Sequence, residues 1–267
     1  MALYFYFNET TGDLVYSDQA AYEADGYASL GEQTEKNPAA PVGWVFDSKR
    51  TGIKTVSKDP EIGGKISGLI SMSSMFYGCI DMASADLSGF DTSNVANMDG
   101  MFESCTSLAS LDLSGFDTSQ VTNMGSMFRD CLSLTSLDLS GFDTSQVTRM
   151  PSMFSGCSSL TSLDLSGFDA SKVTTTGRMF NGCSSLRILT ISGSMSNILS
   201  QLPANQYYPA AGGTAVAKAS LTAGTWVRDE ADLSLVATLV ETTQAAMALR
   251  RKLTSLAKRV AKLESGA

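Results

Sequence analysis

The chain has 267 residues, 43% hydrophobic and 17% charged, a composition that fits a folded protein with a sizeable core. Its formal charge of -8 and pI near 4.6 argue against a nucleic-acid partner, which would need a clustered basic footprint. The absence of histidine removes Ser-His-Asp and Cys-His nucleophile systems.

The chain opens Met-Ala-Leu-Tyr-Phe-Tyr-Phe-Asn-Glu-Thr, with no basic stretch leading into an apolar run, so no secretory leader is expected. No stretch reaches the apolar length that spans a bilayer, so membrane insertion is not expected either. Residues 3–7 and 14–17 bracket Asn8 to Asp13, with Thr10-Thr11-Gly12 between them, and predict a β-hairpin. The hairpin serves as a cap for the central region of the chain or as an attachment element. Residues 27–64, with Pro38, Pro41 and Trp44, are expected to bridge it to that region and cover the region's first face. Residues 1–47 hold eight acidic side chains against Lys36, and residues 242–267 hold six basic ones against Glu264. That asymmetry fits either a head-to-tail assembly or two unrelated solvated surfaces.

A 26-residue repeat dominates the centre. Cys79, Cys105, Cys131, Cys157 and Cys183 are each 26 residues apart, and the Met-Phe pairs beginning at Met75, Met101, Met127, Met153 and Met179 keep the same spacing. The units starting at Cys105 and Cys131 are identical at 20 of 26 positions. Leu108, Leu111 and Leu113 suit a short strand, which turns Asp112 outward. Ser-Gly-Phe-Asp-Thr-Ser supplies a corner, where Gly115 permits unusual backbone angles and Asp117 accepts an amide two residues on. Val121 and Met124 return to the core. Pro151, before Ser-Met-Phe, suits the first turn of a short helical segment. One unit cannot bury its apolar face alone, whereas stacked units share a core at about 4.8 Å per coil.

The cysteines form an odd-numbered ladder with no two closer than 26 residues, which fits neither paired disulfides nor zinc; buried, reduced thiols are expected. Asp86, Asp112, Asp138 and Asp164 form one carboxylate column and Asp91, Asp117, Asp143 and Asp169 another. Calcium takes several such oxygens. The simpler account is turn capping for the second column and relief by the hydroxyls of Ser88, Ser114, Ser140 and Ser166 for the first.

The pattern LxxLDLSGFDTSxVTxMxxMFxxC over about residues 65–195 resembles the BspA-like leucine-rich repeats of bacterial surface proteins, found also in phage and prophage genes. That resemblance implies a right-handed solenoid with an interaction role and names no partner. Leu221-Thr-Ala-Gly-Thr-Trp226 looks like the closing segment of such repeat arrays, and the opening hairpin looks like those of small phage virion proteins. The fold class expected is therefore an α/β repeat: a right-handed leucine-rich-repeat solenoid with a β-rich N-terminal region and a C-terminal coiled-coil helix. Its parts are residues 1–64, 65–195, 196–231 and 232–267.

In the tail, Leu235, Leu239, Thr242, Ala246, Leu249, Leu253, Leu256, Val260 and Leu263 alternate steps of four and three, a heptad seam about 43 Å long if helical. Self-association is expected, with a trimer suiting a fibre; one amphipathic helix lying on a neighbouring surface is the alternative.

No enzyme activity, cofactor or metal is expected. There is no GxxxxGK loop, and the carboxylates recur instead of forming one differently tuned pair. The leading reading is a phage or prophage tail or fibre protein, made in the cytoplasm and acting in the virion or outside the cell after release. Its expected partners are other copies of itself, other virion proteins and a host-surface protein or glycan. A bacterial adhesin and a structural decoration protein without a receptor are the alternatives. Candidate contacts are positions that change between otherwise matching units: Asn97, Asn123, Arg149 and Thr175; Glu103, Arg129, Ser155 and Asn181; Ala109, Thr135, Thr161 and Arg187. Drift on an idle surface would produce the same variation.

Overall fold

A computed structural model describes residues 3–19, 27–32, 47–62, 64–192, 194, 208–209 and 224–227. Strands β1 (Tyr4–Asn8) and β2 (Asp13–Ser17) form the expected antiparallel hairpin, closed at the pair Asn8 and Asp13. Asn8 Oδ1 accepts the amides of Thr10 and Thr11 at 2.9 and 3.1 Å, and Gly12 turns at φ +80, a conformation that favours glycine. Strand β3 (Ala28–Glu32) pairs with β1, with a register shift between Phe5 and Tyr6.

On its other side β2 pairs in parallel with β4 (Thr55–Lys58), which pairs in parallel with β5 (Ser84–Ala85) of the first repeat. Hairpin and solenoid thus share one sheet and one core. The Tyr16 ring stacks on Phe90 at 4.4 Å, and its hydroxyl accepts the Gly89 amide at 3.0 Å. This continuity makes the hairpin a cap on the first coil.

The five coils are numbered by their Met-Phe pairs, from Met75 in coil 1 to Met179 in coil 5. Inside the stack, Phe76, Phe102, Phe128, Phe154 and Phe180 lie ring over ring at 5.6–5.9 Å. Val95, Val121, Met98, Met124 and all five cysteines are buried with them. Burial of this apolar column is the main stabilising term, since no single coil has a second apolar layer of its own.

The coils are joined chiefly on the Met-Phe side. There, alternate amides donate forward to the next coil: Met72 to Asn97 O, Ser74 to Asp99 O, Phe76 to Met101 O and Gly78 to Glu103 O, at 2.8–2.9 Å. The amides in between close tight turns, as Tyr77 does on Ser74 O at 3.1 Å. The pattern recurs through Gly156 N to Asn181 O at 2.7 Å.

This backbone corrects three expectations. The repeat is β and turn, not α/β: among its described residues there is no α-helix. Each Met-Phe segment holds two left-handed residues, such as Ser126 (φ 51) and Asp130 (φ 56), and sends its amides to the next coil, so a helix cannot propagate. The left-handed positions are Ser74, Gly100, Ser126, Ser152 and Arg178, and Gly78, Ser104, Asp130, Gly156 and Gly182; the corner residue Gly115 is not among them. Regular strand is also sparser than expected. It forms at β5, at β6 (Ser162–Leu165) and at β7 (Ile188–Ile191), the last two pairing in parallel, but not at 108–113 or 134–139. The Met-Phe ladder sets the coil spacing, leaving strand-side bonds such as Thr135 N to Ala109 O at 3.4 Å.

Both ends of the stack are covered. A 3-10 helix, Asp47–Gly52, carries Arg50, whose Nη1 donates to the carbonyls of Met75 and Tyr77 at 3.0 and 2.7 Å, and whose Nη2 donates to Ser74 O at 3.0 Å. The Met75 and Tyr77 carbonyls are the ones a preceding coil would bind, so one guanidinium substitutes for part of that coil. Lys49 pairs with Glu9 at the hairpin turn. At the far end β9 (Gly224–Val227) pairs antiparallel with β7 and with β8 (Tyr208–Pro209). The heptad residues 235–263 lie outside the described residues, as do Pro38, Pro41 and Trp44. No helix among the described residues is long and apolar enough to cross a membrane.

Candidate binding surface

The three variable columns differ in how far they face solvent. Asn97, Asn123, Arg149 and Thr175 lie on the Met-Phe side, joined coil to coil by parallel bridges. Asn97 Oδ1 accepts the Asp99 amide and Asn123 Oδ1 the Gly125 amide, both at 3.0 Å. At Arg149 the residue two positions on is Pro151, which has no amide to cap. The change from Asn to Arg therefore follows the loss of a donor. Asn97 and Asn123 are structural caps, and only Arg149 and Thr175 in this column are exposed.

The second column is also partly committed. Glu103 pairs with Arg129 at 3.3 Å, and Arg129 reaches Asp130 at 3.4 Å. Burial raises the Glu103 carboxyl above its usual range, with Arg129 opposing. Ser155 is 8% exposed, which removes it as a contact candidate. The Asp130 carboxylate lies across the neighbouring Gly156, where a Cβ would stand 2.1 Å from Oδ1. Arg129 and Asn181 remain open to solvent.

Ala109, Thr135, Thr161 and Arg187 form the column that is exposed throughout. Their backbones are linked by Thr135 N to Ala109 O, Thr161 N to Thr135 O and Arg187 N to Thr161 O at 3.4, 3.4 and 2.9 Å. Exposed Ser110, Ser136, Asp112, Asp138 and Asp164 flank them. The result is a face of small hydroxyls and carboxylates over a strand-side backbone.

Both aspartate columns are occupied by local bonds. Asp91, Asp117, Asp143 and Asp169 each accept the amide of the serine two residues on, at 2.9–3.1 Å. The serine hydroxyl and amide hold these carboxyls below the usual range. For Asp86, Asp112, Asp138 and Asp164 the bond comes from the backbone amides of Ser88, Ser114, Ser140 and Ser166, where the serine hydroxyls were the expected donors. Among the described residues no group of three or more His, Cys, Asp or Glu is placed to hold a metal.

The five cysteines form no disulfide and are buried. Cys105 Sγ donates to Phe76 O at 3.0 Å, and Cys131, Cys157 and Cys183 repeat this contact to Phe102, Phe128 and Phe154. Burial pushes the Cys183 thiol pKa up to about 12 and raises those of Cys105, Cys131 and Cys157 as well, so none of these four is poised as a nucleophile.

Residues 67–192, a little under half of the chain, match the family described as Mycoplasma protein of unknown function, DUF285. No curated protein matches significantly. Among solved structures, a leucine-rich repeat protein from Bacteroides ovatus is 11% identical, covering 72% of this chain and 46% of its own length, with a TM-score of 0.30. The T. pallidum leucine-rich repeat protein is 17% identical, covering 68% of this chain and 86% of its own, also at 0.30. The chain thus spans less than half of the Bacteroides protein.

Proposed function

We propose that this chain is a non-enzymatic binding protein whose solenoid presents the Ala109-Thr135-Thr161-Arg187 column to a host-surface protein or glycan. Its context is a phage or prophage tail or fibre, assembled in the cytoplasm and released with the virion. The carrying observation is the division of labour between columns. Residues needed for packing or capping repeat from coil to coil, while this column faces solvent along its length and changes. The carboxylates are engaged as caps and the thiols are sequestered, which supports binding over catalysis.

In this reading the tail gathers several chains through Leu235, Leu239, Ala246, Leu249, Leu253, Leu256, Val260 and Leu263, three chains being the form that suits a fibre. Several weak contacts would then act together, by 10²–10⁴ on the order expected for matched geometry. Light scattering of the full chain should give an integral multiple of 28.2 kDa. Leu253→Asp with Leu256→Asp should return it to the monomer, and a monomeric parent would remove the coiled coil. A cell-surface adhesin is the second reading, supported by the bacterial source of the matched family. Antiserum to the chain separates the two: labelling of purified phage particles supports the virion, and labelling confined to the cell envelope supports the adhesin.

A further inference from the structure

Asn181-Gly182 is the only Asn-Gly step in the chain, and both residues are exposed in coil 5. We propose that Asn181 is a modification site at which the folded protein deamidates. The Gly182 nitrogen, losing its proton, attacks the side-chain amide carbon of Asn181. A ring C–N bond forms, the side-chain nitrogen leaves as ammonia with a proton, and water then opens the succinimide at either carbonyl. The products are aspartate and isoaspartate, and no redox partner is involved.

Glycine at position 182 leaves the attacking nitrogen unobstructed, because it lacks a Cβ. The other described asparagines are followed by Glu9, Val95, Met98 and Met124, whose side chains hinder closure. Asn97 and Asn123 are further held by their capping bonds. The Asp99-Gly100 step is an internal comparison. Gly100 is buried and its amide donates to Gly125 O at 2.8 Å, which fixes the nitrogen away from the carboxyl. The amides of Gly78, Ser104, Asp130 and Gly156 are likewise committed to the following coil, and Gly182 ends that column among the described residues.

The modification would act on the fold as well as the charge. The Asn181 carbonyl accepts the Gly156 amide at 2.7 Å, the last bond of the Met-Phe ladder described. Isoaspartate routes the main chain through Cβ, adding one atom between residues 181 and 182 and displacing coil 5 from that bond. Either product also places a new negative charge on an exposed variable position.

The test uses the full chain, held for several weeks in mildly alkaline buffer at physiological temperature. Trypsin cleavage after Arg178 and Arg187 isolates the segment carrying Asn181. A gain of about one dalton there should accumulate, with isoaspartate detected by methyltransferase labelling, while the single tryptic segment 66–129 that carries Asn97, Asp99-Gly100 and Asn123 stays unchanged, its positions resolved by fragment-ion sequencing. Asn181→Gln should abolish the gain. If the folded chain stays unmodified at Asn181 while urea-unfolded chain converts, the coil locks the site and the proposal fails. Equal conversion at Asn97 or Asn123 would also overturn it.

Discussion

The Thr118 hydroxyl binds Asp143 of the next coil twice, donating to its carbonyl at 2.9 Å and accepting from its amide at 2.8 Å. Thr92 does the same to Asp117, and Thr144 to Asp169. The column ends at Ala170, whose own amide is taken by Ser194 Oγ at 3.0 Å. Thr118→Val keeps the shape and strands both Asp143 groups, a loss of about 2 kcal/mol. Thr118→Ser keeps the bonds and should lose less. Urea unfolding of the two variants checks the order, and equal stability would mean the hydroxyl contributes nothing.

The left-handed columns give predictions of opposite sign. Ser152 sits at φ 56, so Ser152→Gly should stabilise by about 1 kcal/mol. Gly156 sits at φ +79 with Asp130 crowding the position of a Cβ, so Gly156→Ala should destabilise by about 2 kcal/mol or more. Thermal unfolding measures both. A destabilising Ser152→Gly would contradict the backbone described.

Much of the fold was legible in the sequence because packing imposes a strict period. The hairpin, the buried Val, Met and Cys columns and the outward Asp112 all come from alternation and repeat spacing. The turn ladder did not, since its left-handed positions carry Ser, Gly, Asp and even Arg178, and only the Ser, Gly and Asp among them hint at that backbone. Nor did Arg50 stand out, because its role depends on carbonyls at Ser74, Met75 and Tyr77 that have no side-chain signature. The variable columns were found, but variation marked both exposed positions and changes forced by structure, as at Arg149 beside Pro151.

Arg50→Ala removes three bonds from the end of the ladder and should lower stability by about 2 kcal/mol. Arg50→Lys should recover only part, since an ammonium cannot span three carbonyls as a planar fork does. Thermal unfolding of both variants beside the parent is the check. Parent-like stability in Arg50→Ala would show that the first coil needs no guanidinium cap.

The thiols should resist labelling in the folded protein and yield five equivalents after unfolding. The raised folded-state values of Cys105, Cys131, Cys157 and Cys183 favour the neutral form, so the associated stability is present below the unfolded value near 9.0 and is lost as pH rises above it. Melting temperature should therefore fall steeply on the alkaline side of that value. Rapid labelling at neutral pH would contradict the buried column.

The most direct measurement is a titration of labelled full-length chain onto intact cells of the carrying strain and its relatives, comparing the parent with a Thr135→Glu, Thr161→Glu double variant. Both substitutions fall on exposed positions, so each should change stability by no more than about 0.5 kcal/mol. Saturable binding by the parent is expected, with its loss in the double variant at unchanged melting temperature. Binding that survives the double substitution would contradict the assigned face, and no saturable binding by the parent would contradict the recognition role itself.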